Sequence, residues 1–193
     1  MIIAIILAAG ESQRMGSPKA LLKINGKTFV RHIIDVYSTT NVEKIVIVIG
    51  AHAQEIKKEL LGLNVTVAVN KNYNTGQLSS IITGIEVTKA FHPDGVLIHP
   101  VDHPLISAGV INSLVVKFNE SPNLIVLPSF KGKRGHPVLF STKLFDELKN
   151  APLEIGARSV VWSHSNEVIE VETEEKGIIL DIDTPGDYER TNL

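Results

Sequence analysis

The chain has 193 residues, 44% of them hydrophobic, which suffices for one domain with a substantial core and is cramped for two, so residues 1–193 are read as a single domain. Nineteen basic against 21 acidic residues give a formal charge of -2, so no global field draws in nucleic acid or an anionic membrane, and an anionic ligand has to be held locally. Cysteine is absent, which excludes disulfides, thiolate catalysis and cysteine-ligated metal and suits a reducing cytoplasm.

Residues 2–7 form an apolar run read as a buried strand. The run has no basic leader and stops near the lower limit for the apolar region of a signal peptide. It breaks at Gly10 into a loop carrying Arg14, Gly16 and Lys19. Small residues at Ala8, Ala9 and Gly10 let a ligand approach the backbone, and successive amides in such a turn form a concave anion site. Arg14 adds a fork of donors and Lys19 a point charge, a combination that holds a triphosphate. The spacing is neither the dinucleotide fingerprint nor the Walker loop. Taken as residue types alone, it also describes a plain strand-to-loop connection with two solvated cations.

Beyond the turn dipeptide Asn25-Gly26, Thr28 is placed to cap a helix over 29–38, whose apolar residues recur at helical spacing. Residues 44–49 are continuously apolar after Lys44, as expected of a parallel strand covered on both faces. A helix over 53–61 and a strand over 64–69 follow, then a loop over 70–76 dense in turn formers. That loop delivers Gln77, Ser79 and Ser80 to the start of a helix running to Phe91. A strand over 96–99 stops at Pro100, with Asp102 just beyond it. A helix over 107–118 and a strand over 124–127 complete the regular part. Further on come the Gly-rich basic loop 130–136, a strand over 137–140, a helix capped by Thr142, a helix over 155–162, strands over 167–171 and 177–182, and a terminal helix opened by Thr184-Pro185. Repeated alternation of strand and helix argues for an α/β fold, a single-domain doubly wound and mostly parallel sheet, with ligands at the carboxyl ends of the strands. The loops after Ala8, Asn70 and Val101 all lie at such ends.

Several residues carry two readings. Asp102, restrained between Pro100 and Pro104, is either a loop-satisfying carboxylate or a magnesium ligand beside a phosphate loop. Asp181 and Asp183, two apart on the expected strand, share one face, where two carboxylates need a cation, a donor or solvent between them; Asp183 is also placed to cap the last helix. Ser79 and Ser80 suit helix capping as well as ligand contact. Arg134 and His136 suit either a phosphate grip or an idle exposed loop. His99 reads as core or as a support behind the site, His52, His103 and His164 as loop or surface, and Trp162 as packing.

The run L-A-A-G-E-S-Q-R-M-G-S-P-K from Leu7 to Lys19 resembles the first motif of the MobA-like nucleotidyltransferases, most closely the molybdenum cofactor cytidylyltransferases. P-V-D-H-P around Asp102, G-Q-L-S-S-I around Gln77, G-K-R-G-H-P-V around Arg134 and D-I-D-T-P-G-D-Y from Asp181 resemble further family motifs, in the family's order. The resemblance implies a Rossmann-like, magnesium-dependent enzyme. Leu7, Ala8, Ala9, Gly10, Arg14, Lys19, Gln77, Ser79 and Ser80 would bind the nucleotide, and Arg14, Lys19 and Asp102 would be catalytic. Mg2+ would lie on Asp102, Asp181 and Asp183, and Arg134, Gly135 and His136 would bind the acceptor, with His136 a candidate base. Ala8-Ala9-Gly10 looks like the cytidylyl-type pattern, whereas guanylyl-type members tend to carry Ala-Gly-Gly. The expected reaction transfers CMP from CTP to the phosphate of molybdopterin and releases pyrophosphate in the cytoplasm, with transient contact to a molybdoenzyme or its chaperone. A cytidylyltransferase for a sugar or polyol phosphate and a non-catalytic cofactor chaperone are the alternatives.

Overall fold

The computed structural model describes residues 1–120 and 124–191. Strand β1 (Ile2–Ala8) runs into the glycine-containing loop and a small hairpin, β2 (Lys23–Ile24) and β3 (Lys27–Thr28). Asn25 and Gly26 turn that hairpin with φ of 50° and 81°, the pair of positive φ values that a tight two-residue connection demands. Then come α1 (Phe29–Ser38), β4 (Lys44–Ile49), α2 (Ala53–Glu59), β5 (Thr66–Val69), α3 (Gln77–Thr88) and β6 (Gly95–Pro100). The second half contributes α4 (Ala108–Glu120), β7 (Ile125–Phe130), β8 (Lys133–Arg134), β9 (Val138–Ser141), α5 (Phe145–Lys149), α6 (Ala157–Ser163), β10 (Val168–Glu172) and α7 (Pro185–Arg190).

The main sheet has the order β10-β7-β9-β6-β1-β4-β5, with β8 attached to β7. Neighbours pair in parallel except where β9 lies antiparallel between β6 and β7, and where β8 folds back on β7. Alternation along β1 explains its unbroken apolar sequence. Ile2, Ala4 and Ile6 face the layer of α1, α2 and α4, while Ile3, Ile5 and Leu7 face α3, α5 and α6. Burying each of these isoleucines contributes about 1.5–3 kcal/mol. The expected doubly wound, mostly parallel sheet is the one observed. Among the described residues no helix is long and apolar enough to cross a membrane.

The chain leaves β1 toward β4 and β5 on one side, then returns to place β6 on the other. The crevice between the carboxyl ends of β1 and β6 is therefore the topological switch point where open α/β sheets bind ligands. Gly84 lets α3 settle onto the sheet beside it. A Cβ there would lie 2.4 Å from the Ile5 side chain.

Three local expectations fail. Thr28 stands at the start of α1, but its hydroxyl donates to Glu59 Oε2 at 3.1 Å and caps no helix amide. The strand expected over 177–182 is a 3-10 turn (Lys176–Ile179) followed by irregular chain. Ile178 and Ile182 are each fully buried, four residues apart, which is not the alternation of a strand, and the Ile178 carbonyl accepts from the His136 amide instead of from a ladder. The helix expected from Thr142 begins as a 3-10 turn (Thr142–Leu144), and its capping side chain is Ser141, which accepts from the Lys143 amide.

Candidate active site

The loop after β1 is folded back on itself. Ser12, at φ 56°, accepts the amides of Met15 (3.0 Å) and Gly16 (3.1 Å) on its carbonyl, and its hydroxyl accepts the Lys19 amide at 3.0 Å. The buried Met15 side chain pins the turn to the core. The amides of Met15, Gly16 and Lys19 are thus committed within the loop. Ser12 carries the loop's geometry, and only its placement in the motif hinted at it.

Lys19 is drawn inward. Its Nζ lies 2.9 Å from Asp102 Oδ2 and also donates to Asp183 Oδ1, while Arg14 Nη2 lies 2.7 Å from Asp183 Oδ2. Burial alone would lower the pKa of Lys19, but the two carboxylates outweigh it and raise the value. Asp183 is held below the ordinary carboxylate range, chiefly by its hydrogen bond from Lys19. Two carboxylates from distant parts of the chain thus converge on one cationic position, occupied by an ammonium. Hard divalent cations want such an all-oxygen pair, so the donor set fits one. Asp181 does not join them. It is exposed, because the segment is not the strand that would have put it on one face with Asp183. Among the described residues no three His, Cys, Asp or Glu side chains are arranged to hold a metal ion, so further ligands would have to come from substrate or solvent.

Asp102 is held by its neighbours. Its carbonyl accepts the Ile182 amide at 2.9 Å, and the His103 amide donates to the Pro100 carbonyl at 3.1 Å. His99, fully buried on β6, sets the loop from beneath: Nε2 lies 2.9 Å from the His103 carbonyl and Nδ1 lies 3.0 Å from the Tyr37 hydroxyl. A carbonyl only accepts, so Nε2 carries the proton and Nδ1 accepts from Tyr37. Asp183 does not cap α7. Thr184 does, in a reciprocal capping box with Asp187, whose carboxyl is held at about 2 by Thr184 and then Arg190. The Tyr188 hydroxyl donates to the Lys23 carbonyl at 2.7 Å and ties α7 to the β2–β3 hairpin.

Burial pushes His99 down to about 4. A histidine ordinarily titrates near 6.5, so the folded state favours the neutral form, and the associated stability is present above about 6.5 and is lost as pH falls towards 4. Going from pH 7 to pH 5 is expected to cost on the order of 2 kcal/mol through this residue. Urea midpoints at the two pH values should differ less in His99→Gln, which keeps an acceptor and a donor but cannot titrate. An undiminished difference would remove His99 as the cause.

At the switch point, a cavity of about 270 Å³ is lined by Leu7, Ala9 and Gly10 after β1, Tyr73, Gly76 and Gln77 before and at the start of α3, and Pro100, Val101, Asp102 and Lys19. The three strand-end loops therefore meet in one place. Ala8 is buried behind them. Ser79 and Ser80 neither cap α3 nor face this cavity's lining. Ser79 Oγ donates to the Asn72 and Gly76 carbonyls (3.0 and 2.8 Å), and Asn70 Nδ2 donates to both serine hydroxyls (2.8 and 3.0 Å). They fasten the loop before α3, with the buried Asn70 as the hub, and Gln77 is the residue of this group that reaches the cavity.

A second cavity of about 480 Å³ shares Gln77 and Pro100 with the first and is lined by Arg134, Gly135 and His136 among others. Gly135 presses its Cα onto the Ile178 backbone, where a Cβ would come within 2.4 Å of the carbonyl oxygen. Arg134 is not idle: its Nε lies 2.8 Å from Glu170 Oε1. His103 is no surface residue, since its ring packs on that of His136 at 4.7 Å between centroids. Burial pushes His136 down to about 3, which leaves it neutral and a weak base near pH 7. Trp162 is 58% exposed on the cavity wall and does not pack in the core.

Residues 4–168 match the MobA-like NTP transferase domain. The purine catabolism protein PucB of Bacillus subtilis (strain 168) is 27% identical over 97% of this chain and 94% of its own length. A probable molybdenum cofactor guanylyltransferase of Thermococcus sibiricus is 34% identical over 67% of this chain, and the match spans 63% of that relative. The crystal structure of Rv0371c from Mycobacterium tuberculosis H37Rv has a TM-score of 0.87 at 24% identity, covering 98% of this chain and 96% of its own. A manganese complex of the same protein has a TM-score of 0.78 at 22% identity, with the same coverage. With the domain match extending from β1 to the start of β10, the chain belongs to the MobA-like NTP transferase family.

Proposed function

We propose that the chain transfers CMP from CTP to the phosphate of molybdopterin, releasing pyrophosphate. The observation that carries the reading is the convergence of Asp102, Asp183, Lys19 and Arg14 at the edge of the switch-point cavity. An acceptor phosphate oxygen attacks the α-phosphorus, and the bond to the oxygen bridging α and β breaks. Lys19 and Arg14, turned from Asp183 to the triphosphate, neutralise the departing pyrophosphate. A divalent cation, magnesium in this reading, would be held by Asp102 and Asp183 and would withdraw charge from the phosphate under attack. Gln77, on the wall common to both cavities, sits where nucleotide and acceptor meet.

Sterics support a pyrimidine. Ala9 is buried and lines the smaller cavity; Gly50 lies against it so closely that a Cβ there would be 2.6 Å from the Ala9 carbonyl oxygen and 2.8 Å from Tyr73 Cβ. In this reading the Ala9 methyl would limit the room left for the second ring of a purine. Pyrophosphate release measured with each of the four NTPs and magnesium, with and without molybdopterin, tests the proposal. Release that needs both CTP and molybdopterin supports it. Faster release with GTP overturns the base assignment, and release only with a sugar or polyol phosphate overturns the acceptor. No release with any acceptor, alongside tight nucleotide binding, favours a cofactor chaperone.

A further inference from the structure

The larger cavity is lined about equally by polar and apolar surface, with Leu78, Ile98, Phe140 and Val161 on the apolar part and Gln77, Arg134, His136, Glu154 and Arg158 on the polar part. Two of them are arginines, Arg134 and Arg158. Arg134 is neutralised by Glu170. Arg14, Arg31 and Arg190 are paired as well, with Asp183, Glu59 and Asp187. Among the described residues, Arg158 is the arginine of the five without a carboxylate partner, although Glu154 lies on the same wall. His136 supplies no charge. Its burial first, then His103 and His99 and more weakly Arg158 itself, keep a proton off the ring.

We infer that Arg158 is the anion anchor of the larger cavity, and that the cavity takes an organic phosphate monoester whose body is a flat ring laid against Trp162. An unpaired guanidinium offers a planar fork matched to a phosphate, and an indole face next to it suits a ring by stacking. The cavity's size, about 480 Å³, is that of a small-molecule site. The inference rests on the reading of this cavity as the acceptor site and assigns its charge recognition to Arg158, on α6, instead of Arg134.

Trp162 is the chain's one tryptophan and lies on the wall of the same cavity, so its fluorescence reports occupancy without any turnover. Phenyl phosphate, as the probe, should shift that fluorescence in the wild-type protein, and phenol at the same concentrations should not. Arg158→Gln should weaken phenyl phosphate binding at least tenfold, Arg158→Lys should recover part of it, and Arg134→Gln should change it less than threefold. Thermal melts should show Arg158→Gln folded, because the side chain is exposed. Equal binding by wild type and Arg158→Gln, or a larger loss in Arg134→Gln, overturns the assignment. Equal binding of phenol and phenyl phosphate overturns the anionic ligand class. Since nothing is turned over, a failed nucleotidyl transfer assay leaves this result standing and condemns the activity alone.

Discussion

Asp102→Asn is expected to release pyrophosphate at least about a hundredfold more slowly than wild type, the loss of ~2.7 kcal/mol of transition-state stabilisation. The amide keeps the shape and one oxygen acceptor but not the charge, so a carboxylate that only satisfied its loop would tolerate the change. The fold should survive, since the Asp102 backbone bond to Ile182 and the His99 support beneath the loop do not involve the side chain. Asp183→Asn should behave similarly, because its oxygens meet both Lys19 and Arg14. Asp181→Asn, altering an exposed side chain, should stay within about threefold. Nucleotide binding without metal, followed by calorimetry, should persist in all three variants. Normal turnover by Asp102→Asn at limiting magnesium would end the metal assignment.

Gly177→Ala should lower stability by about 3 kcal/mol, a melting temperature decrease of roughly 6–12 °C for a chain of this size, and should remove activity with it. A methyl at this position would sit 1.7 Å from the Leu105 carbonyl oxygen and 2.8 Å from its carbon. Both are backbone atoms, so no side chain can swing away. Residues 176–183 would have to lift from the Asp102 loop, and Asp183 would go with them. Gly109→Ala is the matched control, since its methyl would meet nothing closer than Ser107 Oγ at 3.3 Å. Differential scanning calorimetry on the pair reads the difference. A Gly177→Ala protein as stable as wild type would show that the segment is not seated as described.

The elements legible in the sequence were those whose apolar period fixes a burial pattern. The run from Lys44 to Ile49 and the helix from Phe29 to Ser38 are found with the bounds expected, because continuous burial and a 3.6-residue stripe have few other solutions. Residues 177–182 misled for the same reason. Ile178 and Ile182 reach the core from a 3-10 turn and extended chain, and composition does not distinguish that from a strand. At the site, Lys19 and Asp102 stood out because charged residues beside strand ends are exceptional. Tyr37 did not, because its partner His99 lies 62 residues away, and Ser12 and Asn70 did not, because the groups they hold are set by loop geometry that composition does not record. The motif drew attention to Arg134 and not to Arg158, and only the position of Glu170 shows which guanidinium is already paired.

The bonds that close the candidate site join distant parts of the sequence. Lys19 to Asp183 spans 164 residues and Tyr188 to Lys23 spans 165, while the main sheet pairs β1 with β4 and β6 much earlier in the sequence. Contacts that close such long loops form late, after the entropy of the intervening chain has already been reduced by folding. During synthesis from the N-terminus, the β1–β4–β5–β6 half has all its residues while Asp183 has yet to be made. A nascent chain therefore presents a crevice holding Lys19 and Asp102 but lacking their second carboxylate. On the proposed function, a chain halted before residue 183 is expected to lack nucleotidyl transfer, because Asp183 would be missing.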